Sequence, residues 1–356
     1  MIIFAHALCL YWQVYFKMDE LRTVDVLVAG AGPAGSVCGY LLKKSGVDCL
    51  VVDRCAFPRD KVCAGGLTPK SWRFLDGLMP DLKYEFNAIN HIRVNIDGKV
   101  DCEFDTAQPI RIVQRKVFDN ALLNEYLSIG GTFLQDALVS VEELDGKIIA
   151  TLRSGRRVAC RYLVGADGSN SRVRRYLKPD TDRGMLVLER YARKRDDRVM
   201  DLKLSREFDG LGYYFRFPNP AFDAVGFSDE SITLEKFNQV MDEQGIDDGL
   251  LRGAYLYLSN DYPLHDRICL IGDAGGFANR TTCEGLYDAF ATARNAWLSI
   301  TTGKPFRKTN RDRFRKIRRE MRFQKFFYSK FSFWLLKRIF RHPRLAKACL
   351  DWKLNF

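Results

Sequence analysis

The chain changes its hydrophobic period several times, and each change marks an element. Val24–Ala29 is a nearly unbroken apolar run of strand length. From Gly35 the apolar positions Val37, Tyr40, Leu41 and Leu42 keep helical spacing until Gly46 breaks the chain. Leu50–Val52 is a second strand, ending on Asp53. Thr68-Pro69-Lys70 opens a helix that carries Trp72, Phe74 and Leu75. Ile89–Phe104 alternates as a hairpin about Asp97-Gly98. Ile110–Val113 reads as a strand, and Gln114–Asp119 enters a helix that stops before Gly130-Gly131. Short strands follow around Phe133, at Leu138–Val141, at Ile148–Leu152 and at Val158–Val164, with turns at Asp145-Gly146 and Ser154-Gly155. Met185–Phe227 is β-rich, Glu230–Gln244 is helical, and Arg252–Leu258 is extended. Ile268–Ile271 is a buried strand, and a helix then runs to about Ile300. The fold class this predicts is α/β, with a β-rich insertion.

Glycine concentrates where the periodicity breaks. Val24–Asp53 reads strand, glycine turn, helix, strand, acid, a dinucleotide-binding fingerprint in its structural context. Gly30 allows a tight turn out of the strand. Gly32 lets backbone approach a pyrophosphate, and Gly35 lets the helix pack on the strand. The helix start presents N–H groups and a positive dipole end to phosphate, and Asp53 can accept hydrogen bonds from a ribose. A second loop, Gly165–Ser171, leaves another strand; its Asp167 either forms a turn or holds the loops together. A third, Gly272–Asn279, carries Asp273, a carboxylate suited to sugar hydroxyls or to capping a helix. The adjacent Gly65 and Gly66 suggest backbone lying close to a flat ligand. Tyr213, Phe215 and Phe217 share one strand face, as a row for an apolar ligand or as core.

Composition narrows the chemistry. The 356 residues are enough for a sizeable core. The ten cysteines form no CxxC pair, which suits reduced thiols and no metal site. The four histidines are scattered, and HExxH, GxSxG and P-loop lysine motifs are absent. Residues 304–356 hold 18 Lys+Arg against 3 Asp+Glu, or +15, so residues 1–303 carry 12 − 15 = −3. Residues 1–17 are apolar but short for a membrane span and unlike a signal peptide. They read as an over-extended start or disordered lead, with a peripheral anchor as the alternative.

Taken together, GAGPAGS at Gly30–Ser36, GADGSNSRVRR at Gly165–Arg175 and IGDAGGFANRTTCEG at Ile271–Gly285 resemble the FAD-dependent oxidoreductases that include aromatic hydroxylases, halogenases and geranylgeranyl reductases. CAGGL at Cys63–Leu67 is similar to the geranylgeranyl reductase family in particular. The resemblance implies a Rossmann-like FAD-binding domain in three parts, 19–85, 113–178 and 263–303. It implies substrate-domain strands at 86–112 and a β-rich substrate domain at 179–262. An extra lead at 1–18 and a basic amphipathic helical tail at 304–356 complete the chain. It further implies that Ala34 and Asp53 hold the AMP half of FAD. Cys63, Ala64 and Gly66 line the flavin side, and Arg115 meets phosphate or ribityl oxygens. Leu138 contacts adenine, Asp273 the ribityl chain, and Gly285 and Leu286 the flavin pyrimidine ring. Gly212–Pro218 is similar to the family's YxWxFP pattern, with Phe215 standing where Trp is expected. Cys63 and Cys283 would lie beside the flavin, in a redox or proton-donating role or as packing.

The implied activity is reduction of C=C bonds in an isoprenoid or other lipid-like substrate by hydride from reduced flavin. The donor would be NAD(P)H or a reduced carrier. An FAD monooxygenase acting on an apolar or aromatic substrate is the alternative, and a flavin-bearing membrane protein that acts by binding is a third. No residue is singled out as catalytic. In the tail, Phe327, Phe331, Trp334, Leu335 and Arg338 fall on one helical face among many cations. That suits either contact with an anionic membrane surface or packing on the body. No nucleic-acid-reading module is recognisable. The expected location is the cytoplasm, at the inner face of the membrane where the tail makes contact.

Overall fold

The computed structural model describes residues 21–182, 184–206, 213–229, 231–259 and 261–355. The lead expected at 1–18 has its Met1–Lys17 run and following Met18 outside these residues, as are Gly212 and Glu230.

The first sheet is built on parallel strands. β1 (Arg22–Ala29) pairs in parallel with β2 (Cys49–Asp53) and with β9 (Arg157–Gly165). β2 pairs with β6 (Thr132–Gln135), and the far half of β9 pairs with β15 (Ile268–Leu270). β7 (Leu138–Leu144) and β8 (Lys147–Leu152) extend it antiparallel from the near half of β9. Parallel strands buried on both faces need continuous apolar runs, and Val26, Leu27, Val28, Leu50 and Val51 are fully buried. One face carries the helices Pro33–Lys44, Arg115–Ser128 and Leu286–Thr302. The parallel arrangement brings the C-terminal ends of five strands to one edge. The loops after Ala29, Asp53, Gln135, Gly165 and Leu270 therefore meet there.

The second sheet has eight strands. Its order is β14 (Leu250–Leu256), β10 (Met185–Ala192), β13 (Asp223–Ser228), β12 (Tyr213–Pro218), β11 (Val199–Leu204), β4 (Asn87–Ile96), β5 (Val100–Ile112) and β3 (Gly66–Leu67). The 86–112 and 179–262 segments thus share one sheet, joined by the parallel β11–β4 pair. The hairpin between β4 and β5 turns on Asp97 and Gly98, both at positive φ, as the Asp-Gly pair implies. One face of this sheet meets the Leu234–Glu243 helix through Phe237, Val240 and Met241. That helix begins later than its apolar pattern suggests, because Thr233 caps it by accepting the Lys236 N–H.

Residues 306–355 are largely helical and are docked on the body. Helices Arg311–Phe327, Lys330–Phe340 and Pro343–Asn355 follow a short turn of helix at Phe306–Thr309. Ser329 caps the second by accepting the Ser332 N–H at 3.2 Å, which separates Phe327 from the face expected to carry it. Phe333, Phe340 and Ala346 bury against Ile92, Val94 and Phe104 of β4 and β5. Full burial of each such phenylalanine contributes roughly 1.5–3 kcal/mol. Lys337 pairs with Asp97 at 2.6 Å, and Asp351 accepts the Ala107 N–H at 2.9 Å. The other side stays outside: Phe331, Trp334, Leu335 and Arg338 are exposed. Among the described residues, no helix is long and apolar enough to cross a membrane.

Candidate functional site

The strand ends of the first sheet and the inner face of the second enclose one continuous cavity of about 1870 Å³. Pockets for drug-sized molecules run roughly 300–1,000 Å³, so this one suits a long or a composite occupant. Gly30, Gly32, Ala34, Asp53, Cys63, Ala64, Gly66, Arg115, Leu138, Asp273, Gly285 and Leu286 all line it, as do Tyr213, Phe215 and Phe217. Gly35 does not. A Cβ on Gly35 would sit 1.7 Å from the Gly30 carbonyl oxygen, so its bare backbone serves helix-on-strand packing.

Two helix starts open into this cavity. The Pro33–Lys44 helix begins at Gly32 and the Leu286–Thr302 helix at Gly285, and neither has a side chain capping its first N–H groups. Unsatisfied donors with a positive dipole end make each an anion site. Gly30 turns at φ 106, where a Cβ would meet the Ala166 carbonyl oxygen at 2.2 Å. Asp53 locks this turn: one carboxylate oxygen accepts the Ala31 N–H at 2.8 Å and the other the Cys55 N–H at 2.9 Å. Leu138 starts β7, two residues after Asp136, whose N–H donates to the Asp53 carbonyl at the end of β2 at 2.8 Å.

Cations line the same wall. Arg115 is buried and grips Asp119 through two hydrogen bonds of 2.8 and 2.9 Å. Arg59, which no local motif marks, pairs with Asp119 at 3.3 Å. Its Nη2 stands 3.2 Å from where a Cβ on Gly32 would be, so it covers the glycine turn. Lys61 reaches Asp273 at 3.9 Å, linking the Cys63 loop to the third glycine loop.

The glycines of the Cys63 loop have a different reason from the one their spacing suggests. Gly65 is at φ 78, and a Cβ there would fall 2.0 Å from the Val113 carbonyl oxygen. A Cβ on Gly66 would strike the Phe217 ring at 2.8 Å. Their absent side chains make room for protein, although both line the cavity. Asp167 accepts the Arg172 N–H at 2.6 Å, which anchors its own loop to the helix that follows. The link between the second and third loops is Arg174. It is buried, donates to the Ala274 and Ser169 carbonyls, and lies 3.6 Å over the Tyr257 ring. A single arginine in an Arg-rich run gives no sign of this in sequence.

The other lobe of the cavity is apolar. Tyr213, Phe215 and Phe217 pack ring against ring at 5.9 and 5.4 Å between centroids. The Tyr213 hydroxyl donates to the Thr282 carbonyl at 2.7 Å, tying the row to the third loop. Val94, Ile110, Leu202 and Leu204 continue this wall, and Phe323, Phe327 and Leu336 of the C-terminal helices border it. Cys63 and Cys283 also line the cavity; Cys283 holds a left-handed turn at φ 54. No cluster able to hold a metal ion occurs among the described residues.

These features fit a bound FAD. Two uncapped helix starts and the bare backbone at Gly30, Gly32 and Gly285 can accept the phosphates and an anionic ring. Asp53 and Asp273 place carboxylates on the same cavity wall, a chemistry suited to sugar hydroxyls. The FAD binding domain family matches residues 23–226 of the chain. An uncharacterised protein of Methanosarcina barkeri is 30% identical over 76% of this chain and 73% of its own length. A geranylgeranyl diphosphate reductase of Rhodobacter capsulatus is 24% identical over 79% of this chain and 77% of its own length. Among solved structures, a flavin-dependent brominase superposes with a TM-score of 0.71 at 17% identity, covering 94% of this chain and 93% of that one. The chain belongs to the FAD-binding family of FAD-dependent oxidoreductases, within the group that holds the geranylgeranyl reductases.

Proposed function

We propose that this protein reduces C=C bonds of an isoprenoid or other lipid-like substrate. The observation that carries the proposal is the continuity of one cavity, from the two uncapped helix starts into the aromatic and aliphatic lobe. Bound FAD, once reduced, supplies a hydride equivalent at its ring. Gly30, Gly32 and Ala34 would hold the pyrophosphate with Arg59 over it. Asp53 would hold the adenosine ribose and Leu138 the adenine. Arg115 and Asp273 would hold the linking chain, and Cys63, Ala64 and Gly66 would border the ring. The N–H groups at Gly285 and Leu286 would stabilise negative charge on the ring, as a helix start does for any developing anion. Tyr213, Phe215 and Phe217 would hold an apolar chain along their row. The donor would be NAD(P)H or a small reduced carrier.

We propose also that the chain meets an anionic membrane surface through its C-terminal helices, on the cytoplasmic side. Phe323, Phe326, Phe331 and Trp334 are each about half exposed and form a run of ring contacts. Arg315, Arg318, Arg319 and Arg322 line a surface groove on the Arg311–Phe327 helix, which also carries Phe323 and Phe326. Exposed aromatics beside cations suit a headgroup boundary, and Phe323 and Phe326 also border the cavity.

The test is anaerobic reduction of purified, flavin-loaded protein with candidate donors, followed by mass spectrometry of lipids. A gain of two hydrogens supports the proposal. A second reading is an FAD monooxygenase acting on a substrate in the same apolar lobe. An oxygenated product from reduced protein and O₂, with no hydrogenated one, would establish that instead. Protein that cannot be loaded with flavin would remove both.

A further inference from the structure

The middle of the aromatic row of β12 lies beside a carboxyl group with no role assigned so far. Glu189 of β10 pairs with Gly226 of β13, and Gly226 pairs with Phe215 of β12. Residues in direct register share a sheet face, so Glu189 points to the same side as Phe215. Gly226 makes the two neighbours: a Cβ there would lie 3.0 Å from the Glu189 Cβ and 2.9 Å from the Phe215 ring. Glu189 lines the cavity and is only 1% exposed. Its Oε1 accepts the Cys63 N–H at 2.7 Å, so the carboxyl bridges the sheet to the loop that forms the facing wall.

The groups bearing on Glu189 are Lys61 and Cys63 from that loop, Arg115 from the Arg115–Ser128 helix and Tyr191 from its own strand. Arg252 stands opposite on β14. Arg115 is held by Asp119 at 2.8 Å, while Lys61 and Arg252 make only long ion pairs, to Asp273 at 3.9 Å and to Asp60 at 3.8 Å, and the buried Arg252 Nε has no hydrogen-bond partner among the described residues. Glu189 itself makes no salt bridge among the described residues. A glutamine could also accept the Cys63 bond. What an acid adds is a proton it can hold and release. Burial pushes this carboxyl up to about 7, so its acid and anion are both populated near neutral pH.

We propose that Glu189 is the proton-carrying group of the cavity, giving its proton to a substrate that lies along the Tyr213–Phe217 row. The proposal rests on the reductase assignment above. In the reduction the alkene π bond is replaced by two C–H bonds. One hydrogen arrives with an electron pair, as the hydride that reductase chemistry supplies. The other arrives as the proton of the Glu189 O–H, and the carboxylate left behind takes a proton from water.

The experiment compares the flavin-loaded protein with its Glu189→Gln and Glu189→Asp variants. The probe alkene is a polyprenyl alcohol and the reductant is dithionite. Infrared difference spectra across neutral pH should contain a carboxylic acid band that is lost as pH rises through about 7. The band should be missing in Glu189→Gln and should titrate at a different pH in Glu189→Asp. Alkene reduction should fall about 10²-fold in Glu189→Gln and lose its decline above neutral pH, while flavin loading stays intact. Glu189→Asp should recover a pH-dependent rate. The proposal is overturned if wild type has no such band, or if loaded Glu189→Gln keeps the wild-type rate and pH profile. Should Glu189→Gln not fold, the Glu189→Asp displacement of the band decides. Wild type that binds flavin, has the band, and reduces no alkene would sink the reductase assignment and the proton's destination, but not the proton held at Glu189.

Discussion

Replacing Glu189 with glutamine should alter the pH dependence of stability in a calculable way. Burial pushes the carboxyl from an ordinary 4.5 up to about 7, against the Cys63 N–H, the Tyr191 hydroxyl and the cations Lys61 and Arg115, which pull it down. Below about pH 4.5 folded and unfolded chains both hold this proton, and there is no difference to record. As pH rises the unfolded chain releases its proton first, which favours unfolding. The loss of stability is complete once the folded carboxyl ionises, above about pH 7. A rise of about 2.5 pH units corresponds to about 3 kcal/mol in all. Glutamine never ionises, so its protein lacks this loss, while every other titrating group is shared and cancels. Urea unfolding of both proteins at about pH 5 and about pH 8.5 isolates the effect. The stability difference should move in favour of the variant by about 2 to 3 kcal/mol between them. Parallel curves would falsify the idea that the folded protein keeps Glu189 protonated at the lower pH.

Three other outcomes follow from the geometry. Gly30→Ala should unfold at lower urea by about 3 kcal/mol or more and retain no flavin, because a Cβ at φ 106 meets rigid backbone at 2.2 Å. Arg216→Leu should cost about 3–5 kcal/mol in the same assay, since Arg216 is fully buried and holds Asp197, Asp201 and Asp223 at once. Phe331→Ala combined with Trp334→Ala should leave melting temperature and flavin loading unchanged while lowering co-sedimentation with anionic vesicles. Added salt should lower it further, through the arginines alone.

Much of the first sheet is legible in the sequence because its rules are local. A buried parallel strand is apolar nearly throughout, a turn at positive φ favours Gly, Asn or Asp, and a turn pressed against a neighbouring carbonyl needs glycine. Val24–Ala29 and Gly30 therefore announce themselves, as does the Asp97-Gly98 turn. Arg59, Arg174 and Glu189 do not, since their positions depend on partners at long range. Arg174 meets Ala274, 100 residues away, and Glu189 meets Cys63, 126 residues away. The CAGGL loop is an intermediate case. Its glycines are conspicuous, but sequence cannot tell that Val113 and Phe217 are what crowd them.

The C-terminal helices illustrate how a correct pattern can leave two outcomes open. Helical spacing groups Phe331, Trp334, Leu335 and Arg338, and these residues do lie together on one exposed side. The same helix also carries Phe333 and Phe340 on its other side, where they complete the core over β4 and β5. An amphipathic pattern records that a helix has an apolar face; it cannot record that a short helix has two. Ser329 decides the matter locally, because its cap restarts the helix and frees Phe327 from the outward face. Docking and membrane contact are thus not rivals for the same surface. The inward phenylalanines hold the helix on the sheet whether or not the outward ones meet lipid. Outward substitutions should therefore lower any vesicle binding while leaving the fold intact, whereas Phe333→Ala should cost about 3–5 kcal/mol of stability.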